Sequence, residues 1–84
     1  MTVNATPQPK SARLYQAVAE RIARSIASGQ YRKGERLPAE RELAAQYEVS
    51  RPTIREAIIA LEIDGLVEVR VGSGVYVTER KAKA

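Results

Sequence analysis

Ser50, Arg51, Thr53 and Arg55 crowd into the stretch VSRPTIREAI, directly ahead of an apolar repeat. Two guanidinium groups, two hydroxyls and the free N–H groups of a helix start form a set of donors that suits an anion. An arginine fork can grip phosphate oxygens or pair bidentately with the edge of guanine. The N-terminal end of a helix dipole disfavours cations. Either these arginines are incidental solvent-facing residues, or something strongly anionic docks there.

Composition limits the other chemistries. The 84 residues contain 14 Lys and Arg against 10 Asp and Glu, a net charge of +4, and 44% are hydrophobic. That balance describes one small folded domain with an anionic partner, rather than a disordered basic tail. With no cysteine and no histidine, disulfides, thiolate catalysis and the commonest general base and metal ligand are excluded. The carboxylates lie among arginines with no pocket to raise a catalytic pKa, so neither an enzyme nor a cofactor is expected. No apolar run approaches the ~20 residues that span a bilayer, and MTVNATPQPK lacks the apolar core of a secretory signal. The expected location is cytoplasmic, with no membrane partner.

Positioning the cationic cluster requires a scaffold, and the pattern supplies one. Residues 1–11 read as a flexible tail, 12–78 as the domain and 79–84 as the remnant of a linker. From Arg13, the residues Leu14, Val18, Ile22 and Ile26 form an apolar stripe, with Ser11 as N-cap and Gly29 as stop. The loop QYRKGERLP is closed by Pro38, which keeps Leu37 out of a helix. A second helix spans Ala39 to Tyr47 and turns Leu43, Ala44 and Tyr47 inward. A third spans Arg51 to about Asp64, capped by Ser50, led by Pro52 and ended by Gly65. Ile54, Ala57, Ile58 and Leu61 recur at helical spacing and define its buried face. Pro52, Thr53 and Glu56 then fall on outer faces and the two arginines on a shoulder. Val49 is placed to plug the turn. Val67, Val69 and Val71 alternate with Glu68 and Arg70, and Val75, Tyr76 and Val77 follow a Gly-containing loop, which reads as a β-hairpin. The fold class is mainly α with a small hairpin wing, a three-helix winged helix-turn-helix.

The continuous segment GERLPAERELAAQYEVSRPTIREAIIALEIDGLVEVRVGSGVYV, Gly34 to Val77, resembles the DNA-binding domain of the bacterial GntR superfamily of transcription regulators, most like its FadR-like branch. The resemblance implies a sequence-specific double-stranded DNA reader from a metabolite-responsive regulator, a repressor. It implies that Arg41, Ser50, Arg51, Thr53 and Arg55 touch DNA and that Gly72 of the wing approaches the minor groove. It also implies a homodimer on a pseudo-palindromic operator, and a small-molecule effector bound by a C-terminal domain not present here. An excised module is favoured over a naturally short protein. The alternative is a winged-helix module that binds protein.

Each residue has a second role open to it. Arg41 can pair with Glu40, Glu42 or Glu48. Ser50 is a cap first, Thr53 can be a solvated first-turn residue, and Gly72 and Gly74 can serve only to allow positive φ. The four tyrosines suit rim packing better than base stacking. Ile59 and Ile63 fall on the side of the third helix away from Ile54 and Leu61. They mark a contact with a second copy or another domain.

Overall fold

The computed structural model describes residues 10–78. Three helices come first: α1 (Lys10–Ala27), α2 (Glu40–Tyr47) and α3 (Arg51–Ile63). They are followed by an antiparallel hairpin of β1 (Val67–Arg70) and β2 (Gly74–Val77), paired Val67 with Val77 and Arg70 with Gly74. The order and type of elements match the pattern in the sequence.

The core is one cluster. Val18 and Ile22 of α1, Leu37 of the loop, Leu43 and Ala44 of α2, and Ile54, Ala57, Ile58 and Leu61 of α3 are buried together with Val67 and Val77. Val49 packs against this cluster from the α2–α3 turn, and Tyr15, Tyr31 and Tyr47 pack around it. The tail at residues 1–9 and the segment 79–84 lie outside the described residues.

Three local expectations need correction. Ser11 lies inside α1, which begins at Lys10, so it is not the cap. Leu14 is exposed instead of joining the stripe. Leu14 lies one turn before Val18, the first buried residue of the stripe. Val71 sits in the hairpin turn and is fully exposed, because each strand is only four residues long.

The loop before α2 does more than connect. Gly34 N–H donates to Val77 O, Val77 N–H to Glu35 O, and Leu37 N–H to Val75 O, so residues 34–37 run beside β2 as a third, irregular strand. Arg36 pairs with Tyr76 in an isolated bridge. Thr78 closes the far end: its N–H donates to Leu66 O and its hydroxyl to Gly65 O. The wing is therefore tied at one end to the helix that precedes it and along one edge to the approach to α2.

The turn into α3 is built by side-chain chemistry. Glu48 takes the left-handed conformation (φ 58) and caps α2, with its N–H on the Ala44 and Ala45 carbonyls. Ser50 Oγ accepts from Thr53 N–H and shares a 2.8 Å hydrogen bond with Thr53 Oγ1. Replacing Ser50 with alanine is expected to lower stability by about 1 kcal/mol. A urea melt should show the lower midpoint with an unchanged slope, since the exposed area does not change.

Candidate nucleic-acid interface

The opening residues of α3 and α2 meet at one carboxylate. Arg51 Nε donates to Glu40 Oε1 at 2.8 Å, and Arg55 Nε donates to Glu40 Oε2 at 2.6 Å. Arg55 Nη2 adds a longer bond to Oε1 at 3.4 Å. Arg51 and Arg55 are one helical turn apart, so their stems rise side by side. Glu40 is the first residue of α2, where a negative charge also complements the helix dipole.

This geometry decides what the guanidiniums can still do. Both arginine side chains remain nearly 60% exposed. Each spends its Nε edge on Glu40, and neither Nη group of Arg51 has a partner among the described residues. The outer ends of the forks face solvent, held rather than consumed. Two cations against one anion leave a single positive charge in excess. The Arg55 hydrogen bond, then the Arg51 hydrogen bond, hold the Glu40 carboxyl below the ordinary glutamate range, although partial burial opposes them. A depressed folded pKa stabilises the fold above the unfolded value, and that contribution is lost as pH falls through the folded one. Acid therefore dissolves the clamp and frees both arginines.

The structure separates the other candidate residues. Arg41 is exposed on α2 and forms no ion pair among the described residues. The carboxylates that could have taken it are otherwise placed: Glu40 holds the arginines of α3, and Glu42 accepts from the Ala39 N–H. Ser50 is the cap. Gly72 lies at the exposed wing tip with φ +79, and no atom comes within 4 Å of where its Cβ would stand. Positive φ, not crowding, requires glycine there in this chain, and the tip is open to approach.

Thr53 is the clear correction. It was expected on an outer face, but it is only 7% exposed. It lies about 100° from Ile54 around the helix, at the margin of the apolar face. Its hydroxyl is taken by Ser50. Thr53 supports the cap and offers no free hydroxyl to a ligand.

Reasoning from sequence missed Glu40. Its partners lie 11 and 15 residues away, so no local pattern signals the pairing. Only the expected crossing of α2 and α3 could have suggested it.

Comparison with known proteins fits this construction. A family model described as "Bacterial regulatory proteins, gntR family" matches residues 14–77. The chain belongs to that family. It is 52% identical over 67 residues to the Uxu operon transcriptional regulator of Escherichia coli strain K12, covering 80% of this chain and 26% of the relative. It is 48% identical over 71 residues to the Exu regulon transcriptional regulator of the same strain, covering 84% of this chain and 28% of the relative. The chain thus spans about a quarter of the length of these relatives. Among solved structures, the DNA-binding domain of AraR in complex with operator ORX1 superposes with a TM-score of 0.75 at 32% identity, covering 93% of this chain and 92% of that one.

Proposed function

We propose that this chain binds double-stranded DNA in a sequence-specific way, as the DNA-binding part of a bacterial transcription regulator. One observation carries the reading: Glu40 anchors Arg51 and Arg55 by their Nε edges and leaves both Nη groups of Arg51, and Nη1 of Arg55, without a partner among the described residues at the head of α3. A guanidinium approaching end-on with two Nη donors matches the O6 and N7 acceptors of guanine in the major groove. Pre-orientation lowers the rotamer entropy lost on binding. The similar AraR domain, solved with its operator, supports the same use of the fold. Arg41 and the Ser50 cap lie close in sequence to the clamp and serve as backbone contacts, while the open tip at Gly72 approaches the flanking groove. Thr53 contributes through the cap alone.

The test is direct. Duplexes selected from a random pool should bind the chain more tightly than scrambled ones, and binding should fall steeply with salt. Equal affinity for selected and scrambled duplexes at every salt concentration would contradict the reading.

The finer proposals follow from a dimeric regulator. We infer a repressor that blocks a promoter by occupying a pseudo-palindromic operator as a homodimer. It would act in the cytoplasm, release DNA in response to a small metabolite bound outside this chain, and carry out no catalysis. Ile59 and Ile63 are 48% and 79% exposed on the flank of α3. Ile59 borders an apolar hollow of about 330 Å³ that Pro38, Leu43, Val69 and Val75 help to line, and Ile63 lies one turn further along the helix. A surface of this kind serves contact between copies better than solvent. The Ile59→Glu and Ile63→Glu variants should bind a single half-site normally but lose cooperativity on a two-half-site duplex in a gel-shift titration. Unchanged cooperativity would remove these residues from the interface.

A further inference from the structure

The outward face of the wing holds two guanidiniums and a hydroxyl that the DNA-binding reading does not use. Pairing across the hairpin sets Tyr76 opposite Glu68 and Gly74 opposite Arg70, so these four positions share one face of the sheet. The bridge between Arg36 and Tyr76 adds Arg36 to that face from the other side of β2. Val67 and Val77 point the opposite way, into the core, and Val69 and Val75 line the hollow beside the Glu40 clamp. The outward face is therefore turned away from the clamp.

Ser73 stands at the edge of this face, exposed in the turn between Gly72 and Gly74. Its N–H donates to Arg70 O at 2.9 Å and closes the turn. Its Oγ lies 2.6 Å from the Tyr76 hydroxyl, which brings it onto the outward face. Arg70 leans over the same ring, with Cζ 4.2 Å from the centroid. Arg36 comes from the other flank: a Cβ on Gly74 would stand 2.6 Å from its Nε, so only a glycine beside Ser73 lets the guanidinium lie there. The two arginines thus gather around Tyr76 and Gly74, the residues that Ser73 touches. Glu68 reaches Arg70 only at 3.5 Å, and Arg36 makes no ion pair among the described residues. Like charges gathered on neighbouring strands are unfavourable unless an anion joins them.

We propose that Ser73 is a phosphorylation site whose phosphate is received by Arg36 and Arg70 on the outward face of the wing. A glycine-flanked turn at the tip of a short hairpin opens locally at low cost, so an enzyme can draw it out. Arg70, three residues before Ser73, gives a kinase a cation to read. A protein serine kinase with ATP supplies the chemistry. Ser73 Oγ bonds to the γ-phosphorus, and the bond from that phosphorus to the β–γ bridging oxygen breaks. ADP leaves, and the hydroxyl proton passes to the kinase's carboxylate base. The product carries a charge of about −2 and three acceptor oxygens, enough to engage both guanidiniums and the Tyr76 hydroxyl. It lowers the net charge of the chain from +4 to about +2, which weakens the attraction of the chain for any polyanion.

The experiment treats the 84-residue chain with Mg-ATP and a serine kinase that selects arginine three residues before its target. Mass spectrometry should find one phosphoryl group, at Ser73, and none in Ser73→Ala. In a phosphorus-NMR titration the phosphoserine should lose its last proton near pH 5, against about 6 for one without partners, since each neighbouring cation favours the charged form. Arg36→Gln and Arg70→Gln, each with phosphoserine installed at position 73 during translation, should return that value toward about 6. Circular dichroism should show the same fold throughout. A chain that stays unmodified at Ser73, while a peptide of residues 68–78 is modified to completion, overturns the proposal, because the turn is then closed to the enzyme. A phosphoserine that titrates at about 6 in the otherwise unaltered chain, or at a low value that neither glutamine variant changes, overturns it as well. No step requires a duplex, so the result is independent of the DNA-binding reading.

Discussion

Replacing Arg51 or Arg55 with alanine is expected to weaken binding to a selected duplex by roughly five- to 150-fold, the 1–3 kcal/mol of one bidentate guanine contact. A scrambled duplex should lose far less, only the share owed to one phosphate-attracting charge. The fold should hardly notice, because exposed ion pairs contribute about 0–1 kcal/mol to stability. The shared carboxylate makes a sharper expectation. With Arg51 gone, Arg55 still covers Glu40; with both gone, Glu40 presents an unpaired negative charge to the DNA. The double variant should therefore lose more than the sum of the single losses, a coupling that a double-mutant cycle on the selected duplex reads directly. Additive losses would mean that Glu40 does not organise the pair.

The second large effect lies under the same helix. Ile54 is completely buried, and Ile54→Ala should cost about 2–5 kcal/mol through lost burial and the cavity left behind. Against the total stability of a small domain, on the order of 5 kcal/mol, that leaves only about 0–3 kcal/mol. Thermal denaturation should fall by more than about 10 °C. Ile59→Ala, five residues further along α3 but half exposed, should change stability by no more than about 0.5 kcal/mol. The contrast separates the face that builds the domain from the flank assigned to contact.

Periodicity made the helices legible. Ile54, Ala57, Ile58 and Leu61 are all buried, Ser50 is the cap of α3, and Gly65 follows that helix with positive φ. These features depend on residues within a turn of each other, which is the range over which sequence patterns carry physical information. What the pattern hid was non-local or marginal. The Glu40 clamp joins two helices, and the face shared by Arg36 and Arg70 depends on a bridge between the α2 approach and the wing. Thr53 sat at the edge of the apolar stripe, where a short side chain with a hydroxyl partner can turn inward. Glu48 takes a left-handed backbone that glycine or asparagine more often supplies, and its residue type gives no hint of that. The cationic prow of α3 was recognisable as a charge cluster, but its self-pairing was not. That pairing bears on the proposed mechanism: a carboxylate holds the two arginines at the head of α3 rather than leaving them to swing freely in solvent.

The most direct test of this account is a map of backbone amide shifts during titration of the labelled chain with a selected duplex. Binding by the head of α3 should move the amides of Arg41, Ser50, Arg51, Thr53 and Arg55 and of Gly72 first and furthest, while those of Ile59 and Ile63 stay in place at a single half-site. Shifts confined to the Ile59–Ile63 flank, with the amides around the Glu40 clamp unmoved, would contradict it.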